Sequence, residues 1–72
     1  MINLESHTSQ EIKEAVDTYI IGRNAQRNRI IILRRLIDGI TYESLAEEFE
    51  MSDRQIKRIV YKAVDKLSRK MR

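Results

Sequence analysis

Apolar residues recur along this chain at intervals of three and four, the period of helices packed on one face. Ile12, Val16, Tyr19 and Ile20 make the first stripe. Ahead of it, Thr8 and Glu11 have the spacing of a capping box, in which each side chain satisfies a backbone N–H of the other residue. The pattern predicts a helix from Thr8 or Ser9, stopped near Gly22 and Asn24. A second helix is predicted over about Ala25 to Asp38, with Ile30, Leu33 and Ile37 on one face. Ile31 and Ile32 widen that stripe, so the helix is expected to pack on more than one neighbour. The run Ile30 to Leu33 also suits a buried strand. Arg29, Arg34 and Arg35 flank it without alternation, however, and no second strand is there to pair with it. Gly39 fits the left-handed position just past a helix end.

A third, short helix is predicted from Tyr42 to Phe49, with Thr41 as N-cap. Leu45, Ala46 and Phe49 form its inner face, and Glu43, Glu47, Glu48 and Glu50 its wet side. Ser52 and Gln55 make a second capping box, and Asp53 suits the positive end of a helix dipole. Ile56, Ile59, Val60, Ala63, Val64 and Leu67 then form a long stripe. The expected architecture is an all-α single domain over 1–72, a small bundle of about four helices. It divides into an N-terminal helix within 1–24 and a segment 25–72 ending in a helix-turn-helix, with the motif over about 41–68.

Composition narrows the chemistry. The 72 residues suit one modest core, and Pro and Cys are absent. There is thus no disulfide and no thiolate for metal or nucleophile, which fits a cytoplasmic location. The start, MINLESHTSQE, has neither a basic opening nor an apolar run, so no signal peptide is expected. No stretch approaches the roughly 18 apolar residues of a membrane span.

The net charge of +3 conceals sorting into blocks. Residues 1–20 are acidic on balance. Residues 21–36 carry Arg23, Arg27, Arg29, Arg34 and Arg35 and no acid. Residues 37–52 carry Asp38, Glu43, Glu47, Glu48 and Glu50 and no base. The last block is the most basic, with Arg54, Lys57, Arg58, Lys62, Lys66, Arg69, Lys70 and Arg72 against Asp53 and Asp65. Such a block suits a polyanion such as a phosphate backbone, or is simply a solvated face.

The last two helices have the packing pattern of a helix-turn-helix. Leu45 followed by small Ala46 allows a close helix crossing, and Phe49 adds an apolar contact one turn later. Met51 plugs the connection, Ser52 caps the second helix, and Ile56 and Ile59 face inward. The outer face is polar or amphipathic: Arg54, Gln55, Lys57, Arg58, Tyr61 and Lys62. One departure is Glu50, where such turns often place Gly because a left-handed backbone is needed; either Glu50 takes that uncommon conformation or the turn is slightly longer or differently wound.

Residues 39–70, GITYESLAEEFEMSDRQIKRIVYKAVDKLSRK, resemble region 4 of bacterial sigma factors. Gly39, Ile40, Thr41, Glu43, Leu45, Ala46, Ser52, Ile56, Ile59, Ala63, Lys66 and Leu67 fall on that family's pattern. The preceding RNRIIILRRLIDG resembles the helix leading into the motif, so the likeness covers residues 27–70. LuxR-type output domains share much of it, including the Ile56–Lys57 pair. The resemblance implies a recognition helix of about 53–68 lying in the major groove of double-stranded DNA. It carries over Ser52 as cap and Asp53, Arg54, Gln55, Lys57 and Arg58 as contacts. Asp53 departs from the family, where a basic residue is common, which puts a contact there in question. The chain is too short for a full sigma factor and is similar in size to stand-alone regulators of phages and mobile elements.

The expected function is therefore sequence-specific DNA binding that regulates transcription, with no catalysis, cofactor or metal. Ser52, Asp53, Arg54, Gln55, Lys57, Arg58, Tyr61 and Lys62 are the candidate DNA-binding residues. Arg54 and Gln55 are the candidates for base edges, since Arg pairs well with guanine and Gln with adenine. Tyr61 and Tyr42 either touch DNA or cover the edge of the core. Glu43, Glu47 and Glu50 at helical spacing read as a solvated face, and His7 as a solvated side chain in a flexible start. The rival function is a protein-interaction module docking on RNA polymerase or a regulator without touching DNA, through its acidic helices. A homodimer through residues 12–32 is a further expectation, because Ile12, Val16, Tyr19, Ile20, Ile21, Ile31 and Ile32 exceed what a lone small bundle needs to bury. The alternative is that the first helix folds back over the second within one chain.

Overall fold

Thr8 starts the first helix as its spacing predicts. The Glu11 N–H donates to the Thr8 hydroxyl at 3.1 Å, and the Thr8 N–H donates to the Glu11 carboxylate at 3.2 Å. A computed structural model describes residues 7–71 of the chain and shows four helices there, with no strand among the described residues. They are α1 (Ser9–Tyr19), α2 (Ala25–Leu36), α3 (Tyr42–Glu48) and α4 (Asp53–Lys70). The reading of the opening as free of a signal peptide rests largely on Met1 to Ser6, outside the described residues, as do the charges of Glu5 and Arg72.

Two apolar clusters make the core, and α4 contributes to both. Ile12, Ala15 and Val16 of α1 meet Ile32, Ala63 and Leu67 in one. Ile31, Leu45 and Ala46 meet Ile56 and Val60 in the other, while half-buried Ile59 packs against both. Burying a large aliphatic side chain of this kind contributes about 1.5–3 kcal/mol each.

This division corrects the face expected for α2. Ile31 and Ile32 are fully buried, whereas Ile30 is 46% exposed and Leu33 and Ile37 only half-buried. Consecutive helical residues point about 100° apart, so neighbouring isoleucines feed two different clusters. The middle of the buried arc then falls between them, and Ile30 is pushed to its edge. The expectation of more than one neighbour holds.

The same packing removes the surplus on which a homodimer was expected. Ile12, Val16, Ile31 and Ile32 are buried within the chain, and Tyr19 and Ile20 pack against the first cluster. Of residues 12–32, only Ile21 and Ile30 remain as exposed large hydrophobic side chains. The first helix folds back on the second.

Helix ends differ from the pattern where side chains intervene. α1 stops at Tyr19, before Gly22, and Arg29 satisfies carbonyls at its end. The Arg29 guanidinium donates to Ile20 O at 2.7 Å and to Asp17 O at 3.1 Å. A cation at a helix C-terminus also complements the dipole. The link to α2 turns through left-handed Gly22 (φ +96°) and Asn24 (φ +61°). α2 ends at Leu36, short of Asp38, and Gly39 takes the left-handed φ of +68° expected after it.

Candidate nucleic-acid interface

Between α3 and α4 the chain turns sharply, and the sequence explains each step. The Thr41 hydroxyl accepts the Ser44 N–H at 3.1 Å and opens α3. Ala46, 6% exposed, lies with Leu45 and Ile56 where the two helices pack, and a small side chain permits that approach. Glu50 adopts φ +54°, the left-handed conformation expected there of Gly. The Met51 N–H then reaches back to Ala46 O at 2.9 Å, and Met51 packs against the second cluster. Ser52 caps α4: its hydroxyl accepts the Gln55 N–H at 3.1 Å, and Gln55 Oε1 accepts the Ser52 N–H at 2.9 Å.

Ile56, Val60, Ala63 and Leu67 turn inward from α4. Arg54, Lys57, Arg58, Tyr61 and Lys62 are all exposed, and their spacing puts them on one face. Ser52, Asp53 and Gln55 are exposed at the helix start, so all eight candidate residues lie on the surface of the N-terminal half of α4 and its cap. Among the described residues, no salt bridge involves Arg54, Lys57, Arg58, Lys62 or Lys66; the acid–base pairs lie elsewhere, at His7–Glu11, Arg34–Glu48 and Arg69–Asp65.

The two basic blocks thus have different uses. In residues 21–36, Arg29 closes α1, and Arg34 pairs with Glu48, which raises the Arg34 pKa. Arg35 donates to Ile40 O at 3.2 Å and lies over the Tyr42 ring, 4.4 Å from its centre. The cations at the start of α4 face water, where a polyanion can reach them.

Two candidates change character. Gln55 Oε1 is held by the Ser52 N–H and lies 3.3 Å from the Ser52 hydroxyl. A bidentate contact to adenine needs both ends of the amide, so in this conformation Gln55 is a cap whose amide oxygen is already engaged. Asp53 sits in the first turn, where it complements the helix dipole. The tyrosines divide: Tyr42 is half-buried against the second cluster, while Tyr61 is 59% exposed and stands edge-on to it, ring centres 6.1 Å apart. His7 is not a free side chain: its Nδ1 lies 3.2 Å from Glu11 Oε2.

Other surfaces offer less. An open groove of about 410 Å³ beside the end of α1 is walled by Ile20, Ile21 and Ile59 and by Arg58, Lys62 and Lys66, with no acid to pair as acid and base. A shallow hollow of about 440 Å³ beside α3 has Glu43, Glu47 and Asp53 at its rim. Among the described residues no group of three or more His, Cys, Asp or Glu is placed to hold a metal ion, and no helix is long and apolar enough to cross a membrane. Compared with family models, with curated proteins and with solved structures, the chain matches none.

Proposed function

We propose that α3 and α4 form a helix-turn-helix and that the protein is a sequence-specific DNA-binding regulator of transcription. The observation that carries this reading is the outer face of α4. Arg54, Lys57, Arg58 and Lys62 stand exposed on one helix face without acidic partners, beside a tight left-handed turn of the length such a motif needs. α4 enters the major groove by its first turns. Arg54 reads a base edge. Lys57, Arg58 and Lys62 neutralise phosphates and fix the register. Gln55 acts first as the cap that holds Arg54 in place.

Docking on RNA polymerase is the second reading, favoured by the exposed acids Glu43, Glu47 and Glu48 of α3. Selection from a random duplex pool, followed by a titration in fluorescence anisotropy, separates the two. A recovered consensus bound more tightly than the starting pool supports DNA recognition. Equal, weak binding of every duplex, together with capture of polymerase, supports the second.

A further inference from the structure

Tyr42 gathers cations from two helices. Its ring centre lies 4.4 Å from the Arg35 guanidinium carbon and 5.8 Å from Lys57 Nζ, with Tyr61 edge-on at 6.1 Å and an interplanar angle of 84°. Arg35 comes from the last turn of α2, Tyr42 from the start of α3, and Lys57 and Tyr61 from α4. Tyr42 itself is fixed, since it packs on the buried cluster of Leu45, Ala46 and Ile56. Cations over an aromatic face are attracted by the ring quadrupole, so one rigid ring restrains two long side chains that would otherwise spread through many rotamers. Arg35 and Lys57 repel each other and have no carboxylate partner among the described residues. Two cations held against one ring, Arg35 half-buried and Lys57 exposed, suit an anion that reaches both.

We propose that Tyr42 is a positioning residue that sets Arg35 and Lys57 as a paired clamp for one stretch of DNA backbone. This rests on the DNA-binding reading and extends it: the phosphate contacts continue from α4 onto the end of α2, outside the helix-turn-helix. Arg35 then has two roles, tying down the α2–α3 link through Ile40 O and presenting its remaining N–H donors to a phosphate oxygen. Tyr61, exposed and edge-on to the Tyr42 ring, borders the same clamp.

The test is the salt dependence of binding, because each phosphate neutralised adds about 0.9 to the slope of log K against log salt. Binding of the full chain to a mixed-sequence 20-base-pair duplex is measured between low and moderate salt, with melting curves recorded for every variant. Arg35→Gln, which keeps a donor for Ile40 O but loses the charge, is expected to flatten the slope by about one. Tyr42→Phe, which keeps the ring, retains the original slope, and Tyr42→Leu loses about as much as Arg35→Gln. In the Tyr42→Leu background, Arg35→Gln is expected to have a smaller effect than alone, because the two act as a unit. A purely structural role for Arg35 and Tyr42 shifts the melting curves and leaves the slopes alone, and that result overturns the clamp. If Arg35→Gln melts as the original and binds with an unaltered slope, the clamp also falls while DNA binding stands. An original chain with no salt-dependent duplex binding at all removes the DNA reading itself.

Discussion

At Glu50 the backbone holds an L-residue at φ +54°, a conformation that costs roughly 1–2 kcal/mol relative to the right-handed one. The turn needs it, because Met51 must reverse direction and reach Ala46 O. Glu50→Gly is therefore expected to stabilise the fold by up to about 1 kcal/mol, the relief being offset in part by the greater freedom of Gly when unfolded. Glu50→Ile, with a branched Cβ at the same φ, is expected to destabilise it by more than about 1 kcal/mol. Urea denaturation decides, and an unchanged midpoint in both variants contradicts the turn geometry. On the outer face, Arg54→Ala is expected to cost roughly 1–3 kcal/mol in binding and to relax discrimination at one base pair. Lys62→Ala weakens every duplex alike. Identical effects of both changes on selected and random DNA contradict the division between reading and anchoring. The turn was legible in part: motifs of this kind need a left-handed residue after Phe49, but Glu50 in that place left open a longer or differently wound connection. The involvement of Arg35 was not legible: charge blocks count cations without showing which are held by carbonyls, acids or rings.

Helices show the same split between local and tertiary information. Both capping boxes, Thr8 with Glu11 and Ser52 with Gln55, form as their spacing predicts, because the bonds lie within one turn of chain. The end of α1 and the buried face of α2 depend on partners far along the sequence, Arg29 on one side and two separate clusters on the other. Arg29→Met is expected to destabilise the fold by about 1.5–3 kcal/mol, the range for hydrogen bonds to a charged group, and to leave DNA affinity of the folded protein unchanged. Loss of affinity with intact folding contradicts its assignment to α1. Ala46→Leu overpacks the α3–α4 contact at a cost of roughly 1–3 kcal/mol, read by thermal melting. The Glu11 carboxyl is held below its ordinary pKa, first by His7 and then by the Thr8 N–H. A depressed carboxyl stabilises the folded state above its unfolded pKa, and that contribution is lost as pH falls through the folded value. α1 is expected to fray at its start on acidification below about pH 4, a change followed by amide NMR and abolished in Glu11→Gln.

Across the whole molecule, charge is sorted by use. The cations of residues 21–36 serve largely to close helix ends and hold loops, Glu43 and Glu47 of α3 face solvent while Glu48 pairs with Arg34, and the start of α4 presents basic side chains without acidic partners. α4 can do this because both clusters lie on its inner side, which leaves the outer side free of any packing duty. The four-helix, all-α architecture was legible from periodicity and caps alone. The fate of the surplus isoleucines was not, because an apolar stripe does not state whether its own chain or another covers it. With Ile12, Val16, Ile31 and Ile32 buried, the chain is expected to sediment as a monomer at micromolar concentration. Titration of the labelled protein with its selected duplex, followed at every backbone amide by NMR, tests whether α4 is the DNA-contacting helix. The largest shifts are expected to run from Ser52 to Lys62 and to reappear near Arg35, with α1 little affected. Shifts concentrated instead on the acidic side of α3, or none at any duplex concentration, contradict that role of α4.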